Sequence, residues 1–419
     1  MTQEKKHSGT GQDCPEGYKS CDGYRIPKEW HIVRFDSLFS RVTRKNDENN
    51  QNVLTISAQQ GLISQIEYYN TLYASENKTG YTLLHRGDFS YNKSYSSGYA
   101  YGAIKRLDAY EKGIVSPLYL CFTPRQGVNS DFYLQYFEAG CFDREIYKIA
   151  QEGARNHGLL NVSTEDFFHS MLVFPPLEEQ KRITEILTQC DHVIELKEQK
   201  LDELKQLKKE FLRKMFPAKG CDTPEIRFPG FTGAWEQRKL GEIATFINGR
   251  AYSQPELLSS GKYKVLRVGN FYTNDSWYYS DLELGEKYYA DYGDLLYTWS
   301  ATFGPHIWLG DRVIYHYHIW KINLSDQLEK QFAVQLLEQD RTNILSSKNG
   351  STMVHITKEG MEQKDVIIPP STKEQQEIGA FFLQLDNLIT LHQRELEETK
   401  TYKKTLAKLL LTGIVRVQG

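Results

Sequence analysis

Residues 173–216 read VFPPLEEQKRITEILTQCDHVIELKEQKLDELKQLKKEFLRKMF, and residues 367–411 read IIPPSTKEQQEIGAFFLQLDNLITLHQRELEETKTYKKTLAKLLL. Aligned on Glu179-Gln180 and Glu374-Gln375, 195 residues apart, they match at Ile183/Ile378, Asp191/Asp386, Ile194/Ile389, Leu196/Leu391, Leu201/Leu396, Lys208/Lys403 and Lys209/Lys404. The second copy carries one extra residue after its Pro-Pro. Each copy begins as an apolar strand end, stops at Pro-Pro and then starts a helix, because proline breaks a ladder but is tolerated at a helix N-terminus.

Positions 183, 187, 190, 194, 197, 201, 204, 208, 211 and 215 step by four and three, and eight of the ten are apolar, the exceptions being Lys197 and Lys208. The second copy gives seven of ten, from Ile378 through Phe382, Leu385 and Ile389 to Leu396, Leu406 and Leu410, with His392, Thr399 and Lys403 interrupting. A four-three stripe held over about five heptads predicts a coiled-coil seam. Two helices of matched length in one chain most simply pack on each other, antiparallel. The predicted interface is Ile183, Leu187, Ile194, Leu201 and Leu204 against Ile378, Phe382, Ile389, Leu396 and Leu406.

A repeat near 195 residues in a chain of 419 predicts duplicated domains rather than a solenoid, whose periods run about 20–50 residues. The predicted order is a flexible tail over 1–24, a globular half over 25–164, a helical segment over 165–217, a Pro/Gly-rich linker over 218–233, a second globular half over 234–357 and a second helical segment over 358–419. The halves answer each other outside the helices as well. Trp30 and Phe35 recur as Trp235 and Leu240, each before an amphipathic turn, and Gly87-Asp-Phe-Ser-Tyr91 recurs as Gly293-Asp-Leu-Leu-Tyr297. The runs 114–122 and 313–322 read as strands, 131–138 and 327–338 as short helices. A small strand pair is expected to close each half at 161–168 and 355–362, with Ser163 and Thr357 as helix N-caps or turn formers. His316 and His318, alternating with Tyr315 and Tyr317, read as strand residues packed in a core.

A net charge of −3 neither demands nor excludes nucleic acid. No run approaches 18 apolar residues and no signal peptide opens the sequence, so the expectation is a cytoplasmic chain with no membrane partner. Six cysteines form no Cys-x-x-Cys pair and no cluster at zinc spacing, which predicts free thiols and no metal. No phosphate loop, dinucleotide-binding Gly-x-Gly-x-x-Gly or Gly-x-Ser-x-Gly elbow occurs. The Pro-Pro pairs, followed by Leu177 and Ser371, do not make the Asn/Asp-Pro-Pro-aromatic tetrapeptide of an amino-methyltransferase. A duplicated chain without catalytic residues reads as a binding or scaffolding protein; a coiled-coil scaffold without DNA readout, and an enzyme fragment, are the competing classes.

Two variable halves, each followed by apolar-apolar-Pro-Pro-x-x-x-Glu-Gln-x-x-Ile, with Phe228-Pro-Gly-Phe231 before Trp235-x-x-x-x-Leu240, resemble the specificity subunit of type I restriction-modification complexes. The first half departs by opening on Ile26-Pro-Lys-Glu-Trp30, without the Phe-Pro-Gly-Phe lead. The resemblance implies an α+β chain: two similar α/β target-recognition domains joined by two long helices packed as an antiparallel coiled coil, with pseudo-two-fold symmetry. It implies a non-catalytic chain that partners double-stranded DNA, two methyltransferase subunits and restriction/translocase subunits. S-adenosylmethionine, ATP and magnesium are then expected in those partners and no cofactor in this chain. A DNA reader needs cations for phosphates and polar side chains for base edges. The candidates are Lys93, Ser94, Tyr95, Tyr99, Lys105, Arg106, Arg155 and Asn156 in the first half, and Ser300, Thr302, His306, Lys348, Asn349 and Ser351 in the second.

Overall fold

The structure, a computed structural model, describes residues 14–57, 60–71, 73–94, 98–150, 160–272, 274–300, 302–346 and 356–417. The chain forms two compact units, Met1–Leu196 with Leu396–Gly419, and Lys197–Glu395. The long helices Leu177–Lys214 and Thr372–Leu411 each pass from one unit to the other, so every unit owns the first half of one helix and the last half of the other.

Within each unit the same sheet is built. In the first, four antiparallel strands lie in the order Phe39–Arg41, Leu120–Pro124, Phe89–Asn92, Ala103–Arg106. The second repeats the order with Ala244–Asn248, Ile319–Leu324, Leu295–Thr298 and Gly304–Ile307. Helices Ser130–Glu138 and Lys330–Ser346 bury Phe132, Tyr133, Tyr136 and Phe137, and Phe332, Ala333, Leu336 and Leu337, in the two cores. The strand that runs into Pro-Pro, Met171–Phe174 or Asp365–Ile368, pairs antiparallel with the strand just after the opening tryptophan, His31–Arg34 or Glu236–Lys239. Trp30 and Trp235 are both buried, and one-turn helices Phe35–Leu38 and Leu240–Ile243 follow, as the amphipathic turns predict.

The Glu-Gln pair explains itself in three dimensions. Gln180 and Gln375 donate from Nε2 to the carbonyls of Pro175 and Pro369, at 2.7 and 2.9 Å, satisfying a buried acceptor where the strand stops and the helix starts. Glu179 and Glu374 are buried carboxylates. Glu374 accepts from the Trp235 indole at 3.3 Å and from Arg227 Nε and Nη2 at 2.6 and 2.8 Å. Glu179 accepts from the Trp30 indole at 2.8 Å and from Arg416 Nε and Nη2 at 2.6 and 2.9 Å. The two arginines play the same part from different distances: Arg227 lies 13 residues past the end of its long helix, in the linker, and Arg416 five residues past the end of the other. Gly413, at φ +73°, lets the chain turn toward Arg416 where a Cβ would lie 2.6 Å from Pro27 Cδ.

None of the twenty seam positions on the two helices is exposed. In the first unit Ile183 and Leu187 share a core with Ala407, Leu410 and Leu411, and Lys403 pairs with Asp191. In the second, Leu212, Met215 and Phe216 share one with Ile378 and Phe382, while Lys208 pairs with Asp386 and Lys197 with Glu395. As one residue number rises its partner's falls, so the helix segments run antiparallel within each unit. The lysines that interrupt the apolar stripe are therefore ion-pair residues. Of the remaining interface residues, Leu201, Leu204 and Leu396 are buried, and Ile194, Ile389 and Leu406 half-buried.

Several elements differ from the sequence reading. The expected tail contains a hairpin, Tyr18–Cys21 with Tyr24–Pro27, turning on Asp22 and Gly23, both at positive φ; residues 1–13 lie outside the described part. Asp-Gly is a strong two-residue hairpin signal that the low periodicity of the stretch masked. The segments 161–168 and 355–362 do not form strand pairs: short helices Thr164–His169 and Lys358–Glu362 start there, capped by the Ser163 and Thr357 hydroxyls as expected of those residues. The runs 114–122 and 313–322 are each two strands split by a turn, and 316–318 lies in that turn rather than in a strand. The second domain helix starts at Lys330 and runs eight residues beyond Glu338 to Ser346.

Arg227→Ala leaves the Glu374 carboxylate in the core with the indole as its remaining side-chain donor. The expected cost is about 2–4 kcal/mol, since breaking a buried pair strands a charge. Arg213→Ala, which removes exposed pairs with Glu210 and Glu225, should cost less than about 0.5 kcal/mol. Urea midpoints of the two variants against the parent test the contrast.

Candidate nucleic-acid interface

In the first unit the strands Phe89–Asn92 and Ala103–Arg106 form a hairpin. The loop joining them and the second of these strands carry six of that half's eight predicted contacts. Lys93 folds back, donating from Nζ to the Val162 carbonyl at 2.6 Å, and partial burial lowers its pKa. The half-buried Ser94 donates its backbone N–H to Asn92 Oδ1 at 3.0 Å. Tyr99 and Lys105 are brought together on one carboxylate: Lys105 Nζ lies 2.6 and 2.7 Å from the two oxygens of Glu138, and Tyr99 Oη donates to Oε2 at 3.0 Å. Lys105 is 4% exposed; it opposes Ser90 on the sheet face turned away from the core of helix Ser130–Glu138, and its Nζ reaches Glu138 at that helix's end. Arg106 is spent on Asp108 at 2.8 Å, Asp131 at 2.6 Å and Ser130 at 2.9 Å. Two of the cations expected to meet phosphates are thus neutralised within their own domain. Tyr95, Arg155 and Asn156 lie outside the described residues.

The second unit answers with the hairpin Leu295–Thr298 and Gly304–Ile307. Thr298 Oγ1 donates to the Thr302 carbonyl at 2.9 Å and tightens the loop; Thr302 is exposed and Ser300 half-buried. His306 stacks on Phe271, ring centres 4.2 Å apart, with Nε2 3.2 Å from Tyr272 Oη. Burial pushes its pKa down to about 4, so near neutral pH it offers one donor and one acceptor rather than a charge. Lys348, Asn349 and Ser351 lie outside the described residues.

Beside this hairpin stands an aromatic group that motif reading missed. Trp299 donates its indole N–H to the Tyr317 carbonyl at 2.8 Å and meets His318 edge-on at 4.9 Å; Tyr317 and His318 are 3.9 Å apart. The first unit exposes Tyr68, Tyr69 and Tyr73, with successive ring centres 4.6 and 5.1 Å apart. The 27 tyrosines of the chain, mostly outside the long helices, were the signal that could have located both groups. Aromatic faces, hydroxyls and neutral imidazoles on a hairpin suit base edges and sugar better than phosphates.

Among the described residues no group of three or more His, Cys, Asp or Glu could hold a metal, and no helix is long and apolar enough to cross a membrane. All six cysteines are free.

The chain matches the family described as "Type I restriction modification DNA specificity domain" over residues 27–206 and again over 233–401. It belongs to that family. It is 24% identical over 435 aligned residues to the type I restriction enzyme MjaVIII specificity subunit of Methanocaldococcus jannaschii, covering 96% of this chain and 97% of the relative. A second specificity subunit from that organism, assigned to a putative MjaX enzyme, is 23% identical over 96% of this chain and 97% of its own length. Among solved structures, one described as "Structural basis underlying complex assembly and conformational transition of the type I R-M system" contains a similar chain. The TM-score is 0.61 at 16% identity, over 94% of this chain and 100% of that one. The S subunit of a type I restriction-modification system from M. genitalium gives 0.50 at 13%, over 91% and 96%. These likenesses support the fold, and family membership makes this chain a type I specificity subunit.

Proposed function

We propose that the chain reads a bipartite duplex target, one half-site per globular half, and that the paired helices set the gap between the half-sites. The observation that carries this is the repeated frame with unlike loops. Sheet order, tryptophan, buried glutamate and arginine recur in both units, while the hairpin loops 93–102 and 299–303 share little. A common scaffold holding different polar loops is what two different half-sites require. Helices of 38 and 40 residues are on the order of 60 Å long. That is enough to separate two readers by at least one turn of DNA, about 34 Å. We assign the chain no catalytic step and place it in the cytoplasm. Transfer from S-adenosylmethionine falls to two methyltransferase subunits, and ATP- and magnesium-dependent work to restriction/translocase subunits.

Exposed apolar residues support the docking of two identical partners. Val193, Leu196 and Tyr402 in the first unit, and Leu388, Leu391 and Leu207 in the second, are 39–65% exposed. They are the same three positions of the helix repeat, because 193, 196 and 207 each recur 195 residues later. Single exposed leucines are ordinary, but the same three on both copies point to a partner that meets each unit in the same way.

Replacing residues 25–164 by the matching half of a relative should change one half of the methylated motif and leave the other, as read by single-molecule sequencing of the genome. A change in both halves would contradict independent reading. Leu196→Glu should leave one methyltransferase subunit bound instead of two in native mass spectra, and Leu391→Glu should do the same from the other unit. Two bound subunits in both variants would place the docking face elsewhere.

A further inference from the structure

Asp191 and Asp386 recur in the helix repeat, yet neither sits on the apolar stripe nor belongs to the clamp at Pro-Pro. In the first unit Gln135, on the domain helix, donates from Nε2 to Asp191 Oδ2 at 3.0 Å, and Lys403 of the second long helix holds Oδ1. In the second unit Gln335 donates to Asp386 Oδ2 at 3.2 Å, and Lys208 of the first long helix holds Oδ1 at 2.5 Å. Each triad ties three elements of its unit together: the domain helix and both long helices. Gln335 is 1% exposed, and its Oε1 has no hydrogen-bond partner among the described residues. A buried amide kept for one directional bond is a poor way to add stability, since an apolar side chain of equal volume would cost less to bury.

We propose that Gln135 and Gln335 are positioning residues that fix the angle at which each globular half sits on the helix pair. They would thereby keep the spacer of the DNA target to a single length. The domain helices already meet the long helices through apolar contacts: Phe132, Tyr133 and Tyr136 share a core with Ile183 and Leu187, and Phe332 and Leu336 share one with Ile378 and Phe382. Hydrophobic contact is non-directional and lets a packed body rock about it. Asp191 lies two helical turns beyond Ile183, about 12 Å along the axis. The Gln–Asp bond there is a second, directional point of attachment, and two points set an angle that one does not. The first unit has a cleft of about 390 Å³ at this place, lined by Gln135, Glu138, Lys105, Asp191 and Lys403 among others. The junction is therefore open and polar there rather than closed by packing. A domain of this size has a radius of gyration of about 13 Å, so its far surface lies on the order of 25 Å from the pin. Rocking by on the order of 8° then moves that surface by about one base step of 3.4 Å.

This inference rests on the bipartite reading above. Its test is the methylation motif of the assembled enzyme carrying Gln135→Met or Gln335→Met, which keep side-chain length and helix propensity. The parent is mapped alongside; a parent motif without an unspecified gap would sink the bipartite reading itself. Given a gapped parent motif, the variants should keep every specified base, while sites with a spacer one base pair longer or shorter rise at least tenfold in methylation relative to the cognate spacer. A spacer as sharp as the parent's overturns the proposal, as does any change in the specified bases. Should the methionine variants fail to fold, Asp191→Ala and Asp191→Asn at the more exposed corner of the triad carry the same contrast: the first is expected to relax the spacer and the second, whose amide oxygen still accepts from Gln135, to keep it. Equal spacers in those two also overturn the proposal.

Discussion

A carboxylate taken out of water costs several kcal/mol unless its oxygens are met by good donors. This fold buries two, Glu179 and Glu374, and meets each with an indole and a two-pronged guanidinium. The arrangement decides much else. The tryptophan brings the opening of a globular half onto the start of a long helix. The arginine brings the chain that leaves a long helix back onto the same spot. The neighbouring glutamine closes the carbonyl of the first proline after the strand, so strand, helix and opening segment meet at one buried polar knot. Because the knot is made twice, each unit is closed by its own copy.

The helices add a second layer of polar specification over an apolar seam. Non-directional burial holds Ile183, Leu187, Ile378 and Phe382 in their cores. Lys197, Lys208 and Lys403, which interrupt the stripe, find carboxylates at fixed positions on the facing helix. A single polar position is a known way to fix helix register at some expense of stability. Here Asp191 and Asp386 also each hold an amide from a domain helix, so helix register and domain placement share these side chains.

The repeated parts were legible because their physics is local. Pro-Pro marks a strand end, a four-three stripe marks a seam, and a serine or threonine before an acidic turn marks a cap, as at Ser163 and Thr357. The interactions that join distant parts were not legible. Nothing near Arg416 in sequence tells that it reaches Glu179, 237 residues away. Lys105 looked like a phosphate contact because nothing near it in sequence tells that its ammonium meets Glu138, 33 residues on, at the end of the domain helix. His306 is one candidate contact among six in its half, and only the fold shows that it stacks on Phe271 and that burial keeps it neutral. The aromatic group around Trp299 comes from a strand end and a turn, 299 and 316–318, that only the folded sheet brings together.

The central claim is that the paired helices measure the distance between two readers. Inserting four residues after Lys200, in a single helix, lengthens it by about 6 Å while nearly preserving the apolar stripe. At about 3.4 Å per base step that corresponds to one or two added base pairs. The methylated motif of this variant, mapped genome-wide by single-molecule sequencing, should keep both specified half-sites and gain one or two unspecified base pairs between them. An unchanged spacer with full activity would show that the helices do not set the distance.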